Sequence, residues 1–335
     1  MTLSFVVLGI DHRHAYGMTE NLLKEGAECL GFWTEGHPGT LRGFQDRFPT
    51  LSRFDTLAKA LATGTEIAVI SAIPSDRADL AITAMRAGFD VMVDKPGCTT
   101  QTQLAAIKSA QIETGRIWSI DFSERFEVPA VTRAQELVQE GAIGKVVQTV
   151  GLGPHRLNRA TRPNWFFDRS RYGGILVDIA SHQIDQFLVF TGSTTAEISH
   201  AHVANYANPG DVGLQDFGEL SLRSPQGTGY IRVDWYTPDA LPTWGDGRLT
   251  ILGTQGYIEL RKYVDVGGSS GTDHLILVNG DRCEKINASK AGLPYFSRFL
   301  DDVRNRSETA MPQEHAFTVM DLALQAQALA ESSKT

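Results

Sequence analysis

Cysteine is scarce in this chain of 335 residues: Cys29, Cys98 and Cys283 are widely separated and form no CxxC pair. That spacing excludes a disulfide framework or a paired-cysteine zinc site as the basis of the fold. A basic excess is also missing. Lys and Arg number 31 against 39 Asp and Glu, a formal net charge of -8, so no chain-wide attraction to nucleic acid or an anionic membrane is expected. No apolar run approaches the roughly 18 residues of a membrane span. The chain enters a strand-like run at Leu3 to Ile10 without the basic start and cleavage site of a signal peptide, and it has no internal repeat or low-complexity tract. A cytoplasmic protein is expected, with small molecules and copies of itself as partners. With 42% hydrophobic and 21% charged residues, the length suits two globular domains.

The first 120 residues alternate short apolar runs with helical patterns. Strands are predicted at 5–8, 29–33, 68–72, 89–93 and 117–120, with helices at 18–26, 39–48, 76–87 and 100–114 between them. Buried β-branched strands alternating with helices predict a doubly wound parallel sheet, an α/β domain whose ligand crevice lies at the carboxyl ends of the strands. From residue 121 onward the pattern changes. Helices at 129–140 and 179–190 give way to alternating polar and apolar stretches from Glu197 to Val278, which read as a large, mostly antiparallel open sheet. Helices at 294–306 and 313–332 close the chain, the last a candidate to pack back on the first domain. The expected domains are therefore 1–120 and 121–335. A broad sheet face left in water also suggests a homo-oligomer.

Gly9 ends the first strand where a nucleotide-binding domain places its tight turn, and the expected pattern from there is G-x-G-x-x-G. The sequence departs from it: Asp11 and His14 replace the second and third glycines, with His12 and Arg13 between them. Arg13, His12 and His14 offer positive charge that compensates Asp11 beside a diphosphate. The alternative is that these residues only build a polar turn. An H-x-H pair without further ligands is a weak metal signal, and no metal is expected. Past the second strand, Glu35 is the candidate acid for the ribose hydroxyls, a choice that favours NAD over NADP. Thr34, at the more usual acid position with His37 and Arg42 nearby, keeps a phosphate-binding alternative open. Ala72 and Pro74, at the end of the third strand, complete the candidate cofactor set together with Asp94 and Lys95.

In the second half, Gly173 to Asp185 puts Asp178, His182 and Asp185 on one helical stripe. A histidine held by a carboxylate is a plausible general base near neutral pH. The competing account makes Asp178 a helix cap and His182 a satisfied core residue. In the first half, Lys95 follows the strand at 89–93, at the sheet edge where ligands bind. There it suits stabilisation of a developing alkoxide, although most single lysines at strand ends are simply solvated.

Taken together, Asp94-Lys95-Pro96, the glycines followed by Asp178 and His182, Ser123-Glu124-Arg125-Phe126 and the stretch Glu140 to Val146 resemble the Gfo/Idh/MocA family of glucose-fructose oxidoreductases and inositol dehydrogenases. The similarity spans nearly the whole chain. It implies a Rossmann domain followed by an α/β domain with a large sheet, a nicotinamide cofactor, a sugar or polyol-like substrate, and a catalytic set at Lys95, Asp178 and His182. Asp94 stands where the family has glutamate, and the histidine-rich loop departs from the family's glycines.

Between these motifs lies a segment with five arginines, at 156, 159, 162, 169 and 171, in an otherwise acidic protein. Arginine binds carboxylate or phosphate bidentately and Trp165 offers a face to a sugar ring. Candidate substrate contacts are therefore Arg125, His155, Arg162, Trp165, Asp178 and His182. Salt bridges of the arginines to Asp168, Glu219 or a neighbouring subunit are the competing account. The reading reached is an NAD-dependent dehydrogenase acting on a secondary hydroxyl of a sugar, inositol or sugar-acid-like compound. The alternatives are a ligand-binding regulator on the same fold or an NAD-dependent glycoside-cleaving enzyme.

Overall fold

The computed structural model describes residues 2–332. Its strands are β1 (Ser4–Leu8), β2 (Glu28–Trp33), β3 (Ile67–Ile70), β4 (Asp90–Asp94), β5 (Trp118–Asp121), β6 (Val146–Pro154), β7 (Glu197–Ala204), β8 (Phe217–Arg223), β9 (Thr228–Asp234), β10 (Arg248–Gly253), β11 (Gly256–Arg261), β12 (His274–Asn279) and β13 (Cys283–Asn287). The α-helices are α1 (His14–Lys24), α2 (Leu41–Arg47), α3 (Leu57–Leu61), α4 (Arg77–Arg86), α5 (Gln101–Thr114), α6 (Ser123–Phe126), α7 (Pro129–Gln139), α8 (Arg169–Tyr172), α9 (Ile175–Asp178), α10 (Ala180–Thr191), α11 (Pro294–Asn305) and α12 (Gln313–Ser332). Two compact units divide the described residues: 2–121 with 170–173 and 294–320, and 122–169 with 174–293 and 321–332. No helix among the described residues is long and apolar enough to cross a membrane.

The first unit is built on a parallel sheet ordered β2-β1-β3-β4-β5. Its strands are short apolar runs with no solvent exposure at Phe5 to Leu8, Ile67 to Ile70 and Val91 to Val93, as a sheet covered on both faces requires. Because β1 is flanked by β2 on one side and β3 on the other, the order reverses at the end of β1, the switch point at which α/β sheets bind ligands. Gly9 sits there with φ +76, and a Cβ on it would lie 2.5 Å from the Cβ of Ala72. Only glycine lets the chain turn so close to the end of β3. Helix α1 starts at His14, four residues before the predicted 18, because the polar loop hides its first turn.

The second unit carries an eight-stranded sheet ordered β13-β12-β11-β10-β6-β9-β8-β7, antiparallel except for β6 beside β9. One face is packed under α7 and α10. Val131, Ala134 and Leu137 of α7 meet Leu249, Ile251, Ile258, Leu260, Leu275 and Leu277 in one core cluster. Helix α10 lies against the middle of the sheet, where β6 has glycines: a Cβ on Gly151 would come within 2.8 Å of Gln183, and one on Gly153 within 3.2 Å of Ile179.

Candidate functional site

In the first unit the chemistry gathers on Asp94, the last residue of β4, which has no solvent exposure. His12 Nδ1 lies 2.9 Å from its Oδ2 and His14 Nδ1 lies 2.7 Å from its Oδ1. Ser71 Oγ donates to Oδ2 at 3.0 Å and Arg77 Nη2 donates to the same oxygen at 2.7 Å. Arg77 is itself fully buried and also donates to the carbonyls of Ala72, Asp94, Lys95 and Pro96, so one guanidinium fixes the turn that carries Lys95. Burial alone would raise the Asp94 carboxyl, but Arg77 and the two histidines outweigh it and hold the group well below the usual carboxylate range. Burial lowers the His12 imidazole to about 4 against the pull of Asp94. Asp11, half-buried beside them, is raised by burial to about 6 in spite of Arg77.

The ligating atoms of His12, His14 and Asp94 lie within 4.8 Å of one another, a grouping that the H-x-H spacing alone hardly signals. Arg77 already meets the charge of Asp94 on the shared oxygen, so a cation added to the cluster would face a buried guanidinium. The loop is also pinned by its backbone: the His12 amide donates to the Ser71 carbonyl at 3.1 Å. Glu35 is exposed, whereas Thr34 is buried and Arg53 donates to the carbonyls of Thr34 and Gly36. Ala72 and Pro74 are buried at the end of β3, and Lys95 is 5% exposed. The residues fit a dinucleotide at the tight turn of Gly9, which a Cβ would drive into Ala72, and at the exposed acid Glu35. They depart from the usual phosphate turn at 11–14.

In the second unit Asp178 ends α9, and Ile179 separates it from α10, which carries His182 at 2% exposure. Ile179 keeps right-handed helical backbone between the two helices. Asp185 belongs to a different set: its carboxylate takes both arms of Arg125 at 2.6 and 2.7 Å with no exposure of its own, while Arg125 lies 4.0 Å over the Phe126 ring. Beside this pair, Lys262 donates to Glu124 at 2.6 Å and to Gln186 at 3.0 Å, and Gln183 donates to Glu124 at 3.0 Å, all buried. Sequence reading missed Ser71, Arg77 and Lys262. Arg77 lies in a run that reads as an ordinary amphipathic helix.

The arginine-rich segment is largely self-satisfied. Arg162 donates to the carbonyls of Leu157 and Arg156 and stacks over Phe166 and Trp235 at 4.4 and 5.0 Å. Arg156 reaches the carbonyls of Pro238 and Leu241. Arg159, Arg169 and Arg171 pair with Asp211, Glu331 and Asp76. Glu219, an expected partner, instead accepts from Tyr230 at 2.7 Å. His155 packs on Trp235 and Trp244 and donates from Nδ1 to the Gly153 carbonyl at 3.0 Å. Trp165 is half-buried with its ring 6.2 Å from that of Phe166.

A parallel α/β unit with a lysine at the edge of β4, followed in the same chain by a large open sheet under an imidazole-bearing helix, defines a two-part architecture shared with known oxidoreductases. A model of the GFO/IDH/MocA C-terminal domain matches residues 131–259. The chain belongs to the Gfo/Idh/MocA family. A candidate oxidoreductase from Erwinia carotovora atroseptica SCRI1043 is 41% identical, with 98% of this chain and 99% of that one covered and a TM-score of 0.95. The scyllo-inositol 2-dehydrogenase (NAD(+)) of Bacillus subtilis strain 168 is 26% identical over 202 residues, 58% of this chain and 55% of the relative. The matched stretch thus spans about half the length of that curated relative. A levoglucosan dehydrogenase solved with NADH and levoglucosan shares the fold over all of this chain and 98% of its own, with a TM-score of 0.77 at 18% identity.

Proposed function

We propose that the protein is an NAD-dependent dehydrogenase that oxidises or reduces a secondary alcohol of a sugar, inositol or sugar-acid-like compound. The observation that carries this reading is the Asp94 hub. A buried guanidinium clamps the strand-end turn so that Lys95 is held at the edge of a nucleotide-binding sheet. The names of the relatives, an NAD(+)-dependent inositol dehydrogenase and a levoglucosan dehydrogenase solved with NADH, support the same class. Gly9 and Glu35 are the residues proposed to hold the dinucleotide, through the tight turn and the ribose hydroxyls. When bound, the nicotinamide accepts or returns a hydride.

The chain's own residues supply the proton chemistry. His182 takes the hydroxyl proton on oxidation and returns it on reduction. Asp178 orients the imidazole or binds a neighbouring hydroxyl, and Lys95 holds the reacting oxygen and lowers the energy of its developing negative charge. Oxidation of a secondary alcohol balances with one hydride to the cofactor and one proton to His182. Steady-state assays of sugar and inositol oxidation should show Lys95→Ala and His182→Ala each losing about 10²–10⁴-fold in kcat while the thermal transition stays in place. A fully active His182→Ala enzyme would remove the base assignment. A regulator that binds ligand without turnover is the second reading, favoured by the Asp11 and His14 departures; it predicts that neither NAD nor NADP binds.

A further inference from the structure

The loop from Asp11 to His14 occupies the place of a phosphate turn but withdraws two of the groups such a turn would use. The His12 amide is given to the Ser71 carbonyl, and Ser71 Oγ, whose proton goes to Asp94, lies 3.2 Å from the His12 carbonyl. The second group is the imidazole N–H. An ionised carboxylate accepts hydrogen bonds and donates none, so each Nδ1 facing Asp94 must carry the proton. Arg77 already balances Asp94, and the two rings stand edge to face with centroids 4.3 Å apart. Protonating both imidazoles would crowd three cations on one carboxylate, and burial already disfavours charge on His12. A neutral imidazole with its proton on Nδ1 has a lone pair on Nε2. Phosphate oxygens are acceptors and cannot use it. With 24% and 30% of the two side chains exposed and the Nδ1 edges against Asp94, neither Nε2 has a hydrogen-bond partner among the described residues.

We propose that Asp94 locks His12 and His14 as Nδ1–H tautomers whose Nε2 atoms accept hydrogen bonds from the hydroxyls of the nicotinamide-side ribose. This rests on the dinucleotide reading above. The choice of ribose follows from the sheet order: the acid Glu35 follows β2 and takes the adenosine-side hydroxyls, whereas the hub joins the ends of β1, β3 and β4, on the other side of the switch point. The histidines are positioning residues that read donors where glycines would let backbone read phosphate.

Nitrogen-15 NMR of the histidine side chains in the full chain tests this, with His12→Gln and His14→Gln assigning the signals. At neutral pH both rings should show a protonated Nδ1 and a pyridine-type Nε2, against the Nε2–H form that free imidazole prefers. NAD and ADP-ribose should move both Nε2 signals and ADP should not. His12→Phe should weaken NAD binding about three- to tenfold. An Nε2–H tautomer or a doubly protonated ring in the free protein overturns the lock, and a shift produced equally by ADP overturns the ribose assignment. Wild-type protein that fails to bind NAD at all overturns the dinucleotide reading instead, a separate failure because the tautomers are read without ligand.

Discussion

Asp94 in the first unit and Asp185 in the second are both fully buried carboxylates paired with a buried arginine, and they differ in what else touches them. Asp185 takes both arms of Arg125, a fork that fixes geometry. Asp94 takes one arm of Arg77 and shares its remaining capacity among Ser71, His12 and His14. Asp185 thus ties α6 to α10. Asp94 has a route outward, since both imidazoles it holds reach solvent. The same ion-pair chemistry serves as a rivet in one unit and as the root of a polar surface in the other.

The largest effects should come from breaking either pair while leaving its partner behind. Arg77→Met and Arg125→Met should each cost about 3–5 kcal/mol in denaturant unfolding. If the comparison holds, removing both members distinguishes the sites: Arg125→Met with Asp185→Leu should recover much of the loss. The matching Arg77→Met with Asp94→Leu should recover less, because Ser71 and both histidines would lose their acceptor.

Next in size is the effect of Asp11 on dinucleotide affinity. A carboxylate beside a diphosphate is unfavourable, so NAD binding should tighten as pH falls through about 6, where Asp11 takes up its proton, by at most about tenfold per pH unit for a single proton. Calorimetric titration between pH 5 and 8 checks it, and Asp11→Gly should bind NAD more tightly at pH 8 and lose this dependence. Smallest is the effect on stability, where two neighbours oppose each other. The His12 value is lowered from 6.5 to about 4, so between those values the unfolded chain binds more protons and stability falls with acidification. The Asp11 value is raised from 3.8 to about 6, so the folded chain binds more protons there and stability rises with acidification. The two contributions largely cancel. Asp11→Asn should therefore show a steeper loss of stability from pH 6.5 to 4 than the parent, followed by chemical denaturation.

The parallel sheet was legible in the sequence because strands buried on both faces must be apolar throughout, as Phe5 to Leu8 and Val91 to Val93 are. The open sheet was legible for the complementary reason, its alternation of buried and half-buried positions. Local spacing also singled out Lys95, Asp178 and His182 as candidates, and the structure places Lys95 just past β4 and His182 on α10. Spacing did not show the Arg125 to Asp185 pair, 60 residues apart, nor the Arg77 to Asp94 and Lys262 to Glu124 pairs, separated by 17 and 138 residues. A buried charge leaves no periodic trace in its own segment. The hub was further concealed because His12 and His14 sit in the loop where the glycine pattern fails.

The two bare positions on β6 have a consequence for the imidazole above them. Since Gly151 and Gly153 offer no side chain, Gln183 and Ile179 sink onto the strand, and α10 can neither roll nor rise without opening a gap beneath it. His182, the immediate neighbour of Gln183, takes its bearing from that seat. Atoms missing from the floor of the sheet thereby aim a ring on the helix, and adding one methyl at Gly151 would tilt the imidazole before touching it.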